Sequence, residues 1–183
     1  PLLRGHFVLG DSGEPKPTLK TITRIRQGQE AALEAARPFC PPFRHVSELP
    51  PWDDLAPTLS GRIPGPPFPY LRAVLKNRDI TVHARHLLSR NETEPECIAE
   101  QMNSLQELMD RDLCLSTPRL DRLMAAARAA GALGTKINGS GEGGCMLAYC
   151  PENRSESVME AIQTAGGTPH LLQLGRGVEV FAL

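Results

Sequence analysis

Residues 132–150 read ALGTKINGSGEGGCMLAYC, and their reading decides the fold. Ala132 to Asn138 and Cys145 to Cys150 are short apolar runs of strand length. Between them stands Gly139-Ser140-Gly141-Glu142-Gly143-Gly144. Four glycines in these six residues are more than a tight turn requires. They let the backbone take positive φ and let another group approach closely. Successive N–H groups in such a turn can form a concavity that holds an anion. The segment contains G-x-G-x-x-G, which context must interpret. A dinucleotide fingerprint needs a helix directly after the loop, whereas Cys145 to Cys150 reads as strand. A Walker A loop needs Lys-Ser/Thr after its last glycine, and Cys145-Met146 stands there. A protein-kinase glycine loop needs a lysine on the following strand, and none occurs between Cys145 and Cys150. What remains is a glycine-rich hairpin, either facing a phosphorylated ligand or serving only as a turn.

Upstream of the hairpin, Ser116-Thr117-Pro118 is a helix start, with a hydroxyl cap and proline in the first turn. That helix is expected to run to Ala130, to stop at Gly131, and to bury Leu120, Leu123, Met124 and Ala127. Thr93 to Arg111 is amphipathic through Ile98, Met102, Leu105 and Met109. Tyr70 to Arg90 reads as helix with a break near Asn77. Residues 38–69 hold so many prolines that no long helix can form. A short helix over Trp52 to Leu59 fits there, and Phe39, Phe43, Trp52 and Phe68 are expected to anchor the stretch to the domain. His6 to Gly10 is a buried strand, followed by the turn-rich Asp11 to Pro17. Thr18 is placed to cap a helix from Leu19 to Arg37 whose apolar stripe is Leu19, Ile22, Ile25 and Leu33.

Downstream, Ser155 to Ala165 is a helix closed by Gly166-Gly167, and His170 to Leu174 and Val178 to Phe181 are strands around Gly175-Arg176-Gly177. Strand, helices, strand, strand, helix, strands: this order predicts an α+β domain, an antiparallel sheet packed on helices in two layers.

Bulk properties exclude several classes of function. A net charge of −1 and 4% aromatic residues build neither the positive field nor the stacking platform of a nucleic-acid binder. There is no apolar run of about 18 residues, so no membrane partner is expected. The five cysteines, Cys40, Cys97, Cys114, Cys145 and Cys150, include no CxxC pair and read as free thiols of a reducing cytoplasm. His83 and His86 could share a helix face but lack a third ligand nearby, so no metal site is assigned.

Two stretches resemble a known family. Ser116-Thr117-Pro118-x-Leu120-Asp121-x-Leu123, followed by Ala129-Ala130-Gly131-Ala132-Leu133-Gly134-x-Lys136-x-Asn138-Gly139-Ser140-Gly141-x-Gly143-Gly144-Cys145, closely resembles the third motif region of GHMP kinases. Phe7-Val8-Leu9-Gly10-Asp11-Ser12-Gly13-Glu14-Pro15-Lys16-x-Thr18, with Arg24-Ile25-Arg26 after it, looks like the opening of the C-terminal domain in mevalonate kinases. Galactokinases are similar there but carry a sugar-contacting tyrosine on the next helix; none stands between Asp11 and Arg37. The proline-rich stretch departs from both branches.

The resemblance implies a ferredoxin-like sandwich with extra helices, covering 1–183 with an insertion at about 38–69. It implies the C-terminal half of an ATP-dependent small-molecule kinase, mevalonate kinase-like, with a galactokinase-like sugar kinase as the alternative. ATP and Mg²⁺ would then serve the complete enzyme, and the domain's own N-terminal partner would carry the nucleotide loop and the catalytic residues, since no Pro-x-x-x-Gly-Leu-Gly-Ser-Ser-Ala type segment occurs here. The implied ATP- and phosphate-proximal loop is Gly139, Ser140, Gly141, Glu142, Gly143 and Gly144. The implied acceptor-proximal residues are Asp11, Ser12, Gly13 and Thr18, with Lys16 either meeting an anionic substrate or solvated. Glu142 occupies the family's variable position and would repel a phosphate unless turned to solvent or a cation. The competing reading is a non-catalytic α+β module for ligand binding or oligomerisation, in which an exposed sheet edge pairs two copies into a homodimer.

Overall fold

The computed structural model describes residues 4–90, 93–173 and 175. Among the described residues, four strands form one antiparallel sheet: β1 His6–Asp11, β2 Gly134–Asn138, β3 Cys145–Cys150 and β4 Thr168–Leu172. Their order in space is β2-β3-β1-β4. Six α-helices accompany them: α1 Thr18–Ala36, α2 Trp52–Leu59, α3 Pro67–Leu88, α4 Pro95–Arg111, α5 Pro118–Ala129 and α6 Ser155–Thr164. Strand, helices, hairpin, helix, strand is the ferredoxin-like arrangement, elaborated between β1 and β2.

Alternation along the strands sorts the two faces. Val8, Ile137, Met146 and Ala148 point to one side, where they pack with Leu120, Leu123, Met124 and Ala127 of α5 and Val158 and Ile162 of α6. The fully buried Tyr149 points to the other side and clusters with Leu87, Ile98, Ala99 and Met102, its ring stacked on Phe7 at 4.7 Å. Helix α4 also covers the β2 edge. Asn103 accepts from Thr135 N at 3.0 Å and donates to Leu133 O at 3.0 Å, while Gln106 accepts from Ile137 N at 2.8 Å. Side-chain amides thus complete the edge-strand ladder, so the β2 edge is closed to pairing with a second copy.

A separate cluster lies among the helices. Phe43, Leu49, Trp52, Leu55, Leu59 and Ile63 of the proline-rich stretch pack with Leu71 and Leu75 of α3 and with Ala32 and Ala36 of α1, and Phe39 and Phe68 lie against them. The stretch is therefore anchored by its aromatics, and the short helix over Trp52–Leu59 forms. Arg78 fixes its backbone by donating to the carbonyls of Val46, Leu49 and Pro50.

Several sequence expectations need correction. Helix α3 is continuous through Asn77, because its register against α1 and α4 outweighs the weak propensity of one asparagine. Thr18 makes no cap bond and is the first helical residue; Pro17 holds the N-cap, and Thr21 Oγ1 reaches back to Pro17 O at 3.1 Å. The stripe Leu19, Ile22, Ile25, Leu33 is not the buried face of α1. Leu19 and Ile22 are 82% and 52% exposed, and Thr21, Ala32 and Ala36 are buried instead. The small residues face inward because α1 packs closely on α3 and the hairpin. Leu105 and Met109 are half-buried, with Gln106 and Leu108 taking the inner positions of α4. β2 starts at Gly134 rather than Ala132, and β4 spans Thr168–Leu172 rather than His170 to Leu174. The predicted strand Val178 to Phe181 and the Gly175-Arg176-Gly177 hairpin lie outside the described residues.

Candidate functional site at the glycine hairpin

Sheet register brings two distant segments together. Cys145 pairs with both Asn138 and Asp11, and Asp11 also pairs with Thr168. The strand ends from which Asp11–Pro17 and Gly139–Gly144 emerge are therefore adjacent. The two loops then bond to each other. Ser12 N donates to Gly144 O at 2.9 Å, and Gly144 N donates to Glu14 O at 3.0 Å. Glu14 is tied in turn to α5, its carboxylate accepting from Thr117 Oγ1 at 2.5 Å, while Thr117 Oγ1 caps Leu120 N at 3.2 Å.

The hairpin backbone is tightly seated. Gly141 has φ +76°, and a Cβ there would stand 2.7 Å from Leu115 O and 2.7 Å from Leu115 Cβ. Gly143 has φ +119°, and a Cβ there would stand 2.7 Å from Pro15 O. The glycines are thus demanded both by backbone conformation and by close approach. Glu142 N donates to Leu115 O at 2.7 Å. Among the described residues, the amides of Gly139, Ser140, Gly141 and Gly143 have no protein acceptor. The Ser140 hydroxyl is buried and also unpartnered. It borders a cavity of about 260 Å³ walled by Ile22, Ile25 and Leu115.

Lys16 lies across this hairpin. A Cβ at Gly144 would be 1.6 Å from Lys16 Cε, and Lys16 Nζ donates to Asn138 O at 3.1 Å. The ammonium group remains exposed beside the unpartnered amides. Unpartnered N–H donors, a buried hydroxyl and a cation form an environment suited to an anion with several oxygens.

The carboxylates nearby are engaged. Asp11 Oδ1 accepts from Gly13 N at 2.9 Å, shaping the turn. Glu142 turns away from the amides to a cation: Oε1 accepts from Arg24 at 2.7 Å and Oε2 from Thr21 Oγ1 at 2.7 Å. Those hydrogen bonds, from Thr21 first and Arg24 second, hold its carboxyl below the usual glutamate range. No group of three or more His, Cys, Asp or Glu side chains able to hold a metal ion occurs among the described residues. Beside the loop, the Cys145 thiol is pushed up by burial and by Asp11.

The expected acceptor-side residues separate. Asp11, Gly13 and Thr18 are at least partly accessible, whereas Ser12 is fully buried, with its hydroxyl accepting from Glu14 N at 3.2 Å. Ser12 therefore holds the turn from inside. Sequence reasoning missed Leu115 as the seat of Gly141 and Thr21 and Arg24 as partners of Glu142. The one available signal was the carboxylate in a phosphate-type loop, which must turn either to solvent or to a cation.

A family model described as GHMP kinases C terminal matches residues 87–168. The mevalonate kinase of Pyrococcus furiosus is 46% identical over 178 residues, covering 96% of this chain and 43% of the relative. The mevalonate kinase of Thermococcus gammatolerans is 48% identical over 81 residues, 44% of this chain and 24% of the relative. The chain thus spans less than half the length of these curated relatives. Among solved structures, the fold resembles Lactococcus lactis galactokinase complexed with galactose, with a TM-score of 0.75 and 18% identity, covering 93% of this chain and 45% of that one.

Proposed function

We propose, from the match of residues 87–168 to the GHMP kinase C-terminal model and the likeness to mevalonate kinases, that the chain forms the acceptor-side half of an ATP-dependent kinase that phosphorylates a hydroxyl of a small metabolite. The observation that carries this reading is the row of unpartnered amides at Gly139, Ser140, Gly141 and Gly143 beside the Lys16 ammonium.

Phosphoryl transfer depends chiefly on positioning and on stabilising charge spread over the transferred group. The hairpin amides offer fixed donors for those oxygens, and they need no reorganisation because Leu115, Glu14 and Ser12 already hold the loop. Lys16 adds positive charge that remains free to swing, since only one hydrogen bond holds its ammonium. Asp11, Gly13 and Thr18 border the acceptor. Mg²⁺ does not fit this domain's own donors, because Glu14 and Glu142 are committed to Thr117, Thr21 and Arg24. The nucleotide loop, the metal ligands and the catalytic base belong to an N-terminal domain that closes against this face.

The acceptor we propose is mevalonate. The 46% identity to the Pyrococcus furiosus enzyme extends over nearly the whole chain, and no tyrosine stands on α1 where a sugar contact would be needed. The higher structural likeness to galactokinase is at 18% identity and speaks to fold alone. The test is an ATP-coupled assay of the full-length protein with mevalonate, phosphomevalonate and galactose. Mevalonate-dependent ADP release is expected; turnover with galactose alone would reassign the acceptor, and none with any acceptor would sink the kinase reading. The 183-residue chain alone is expected to turn over no ATP.

A further inference from the structure

Glu142 is an unusual residue for its place. Its φ of +54° lies in the left-handed region, where glycine is favoured, and it is flanked by glycines on both sides. Its side chain nevertheless occupies a defined seat, accepting from Thr21 and Arg24 at 2.7 Å each. Arg24 does not end there. Its other terminal nitrogen donates to Leu113 O at 3.1 Å and to Tyr70 Oη at 3.2 Å. Tyr70 belongs to α3 and packs with the helical cluster that the proline-rich stretch builds around Trp52 and Leu59. Its ring lies directly on α1, for a Cβ at Gly28 would stand 2.5 Å from it. One guanidinium therefore joins the helical cluster, the segment after α4 and the hairpin.

We infer that Tyr70, Arg24 and Glu142 form a positioning relay through which the helical cluster fixes the glycine hairpin, so that this cluster tunes transfer without touching substrate. This rests on the proposed kinase function for its catalytic consequence, but not for its structural one. The pair is too exposed to act mainly through stability: the Arg24 and Glu142 side chains retain 36% and 29% of their accessibility. Its effect is geometric. Glu142 N and Gly144 N are the hairpin donors held by Leu115 and Glu14, and the Glu142 side chain determines whether the residue between Gly141 and Gly143 keeps its left-handed conformation. Arginine is required because a single planar fork must serve a carboxylate, a phenol and a carbonyl together.

The experiment compares Tyr70→Phe, Glu142→Gln and the double variant in the full-length protein. Amide hydrogen exchange is followed by mass spectrometry on the peptide spanning 139–145, alongside kcat and KM for mevalonate. Each single variant should raise exchange at the hydrogen-bonded Glu142 and Gly144 amides of this peptide by about five-fold, the shift expected for one lost hydrogen bond, and lower kcat with KM unchanged. The double variant should match the worse single, because both cut one chain of contacts. Arg24→Lys, which keeps the charge but loses the fork, should behave like the double variant. Unchanged hairpin exchange, or effects of the two single changes that multiply independently, would overturn the relay. A parent protein that transfers no phosphoryl group, with exchange still raised in the variants, would remove the kinase reading and leave the relay standing.

Discussion

At Gly141 a single added side chain meets the backbone of another segment. A Cβ would sit 2.7 Å from Leu115 O, at a φ of +76° that a β-branched residue resists. Gly141→Val is expected to cost about 1–3 kcal/mol from strain alone and to abolish turnover in the full-length protein by displacing the neighbouring amides. A steady-state assay on folded variant protein checks this; wild-type activity would remove the hairpin from the site. Glu142 supplies a pH signature. Its folded carboxyl is depressed by Thr21 and Arg24, so its contribution is complete above the ordinary glutamate value of about 4.3 and is lost as pH falls through the depressed value below it. An NMR titration of the Glu142 side-chain carboxyl should show a midpoint below that of a free glutamate, and an ordinary midpoint would mean the clamp does not form in solution. That Glu142 must turn to solvent or to a cation was legible in the sequence; that it turns to a cation, and that the cation is Arg24, was not, because 118 residues of chain separate them.

Among the elements, α5 is the clearest case of local sequence specifying structure. Thr117 caps Leu120 N at 3.2 Å, Pro118 opens the helix, and Leu120, Leu123, Met124 and Ala127 are buried as their spacing requires. Thr117→Ala should lower stability by about 1 kcal/mol for the cap. It also frees Glu14, whose carboxylate accepts from the same hydroxyl. A urea titration with an unchanged midpoint would show that the cap is redundant. Helix α1 teaches the opposite lesson. Its large apolar residues Leu19 and Ile22 face outward and Ala32 and Ala36 face inward, since close helix contact excludes bulk. Hydrophobic periodicity marked a helix and an apolar stripe there, of which Ile25 and Leu33 pack against the clusters while Leu19 and Ile22 do not. Of the exposed pair, Ile22 borders the hairpin cavity, on the side where the N-terminal domain is proposed to close.

For the molecule as a whole, two clusters share one helix. The sheet cluster takes Ile25 of α1 at its margin, and the helical cluster takes Ala32 and Ala36 of the same helix. Such sharing makes independent melting costly. Trp52 is the single tryptophan and lies in the helical cluster, so its fluorescence reports that cluster while far-UV circular dichroism reports both. The two probes are expected to give one coincident denaturation midpoint in the 183-residue chain; separated transitions would show that the proline-rich module unfolds by itself.

Sequence alone determined the α+β class, the glycine hairpin between two strands, the capped α5 and the aromatic anchoring of the proline-rich stretch. Each of these depends on neighbours within a few residues or on a period of two or three to four. The tertiary structure alone decided that α4 closes the β2 edge, that Lys16 lies over Gly144, and that Arg24 links Tyr70 to Glu142. Those contacts join residues from about 30 to more than 120 positions apart, and no local periodicity encodes a partner at such range; sheet register and helix packing bring them together.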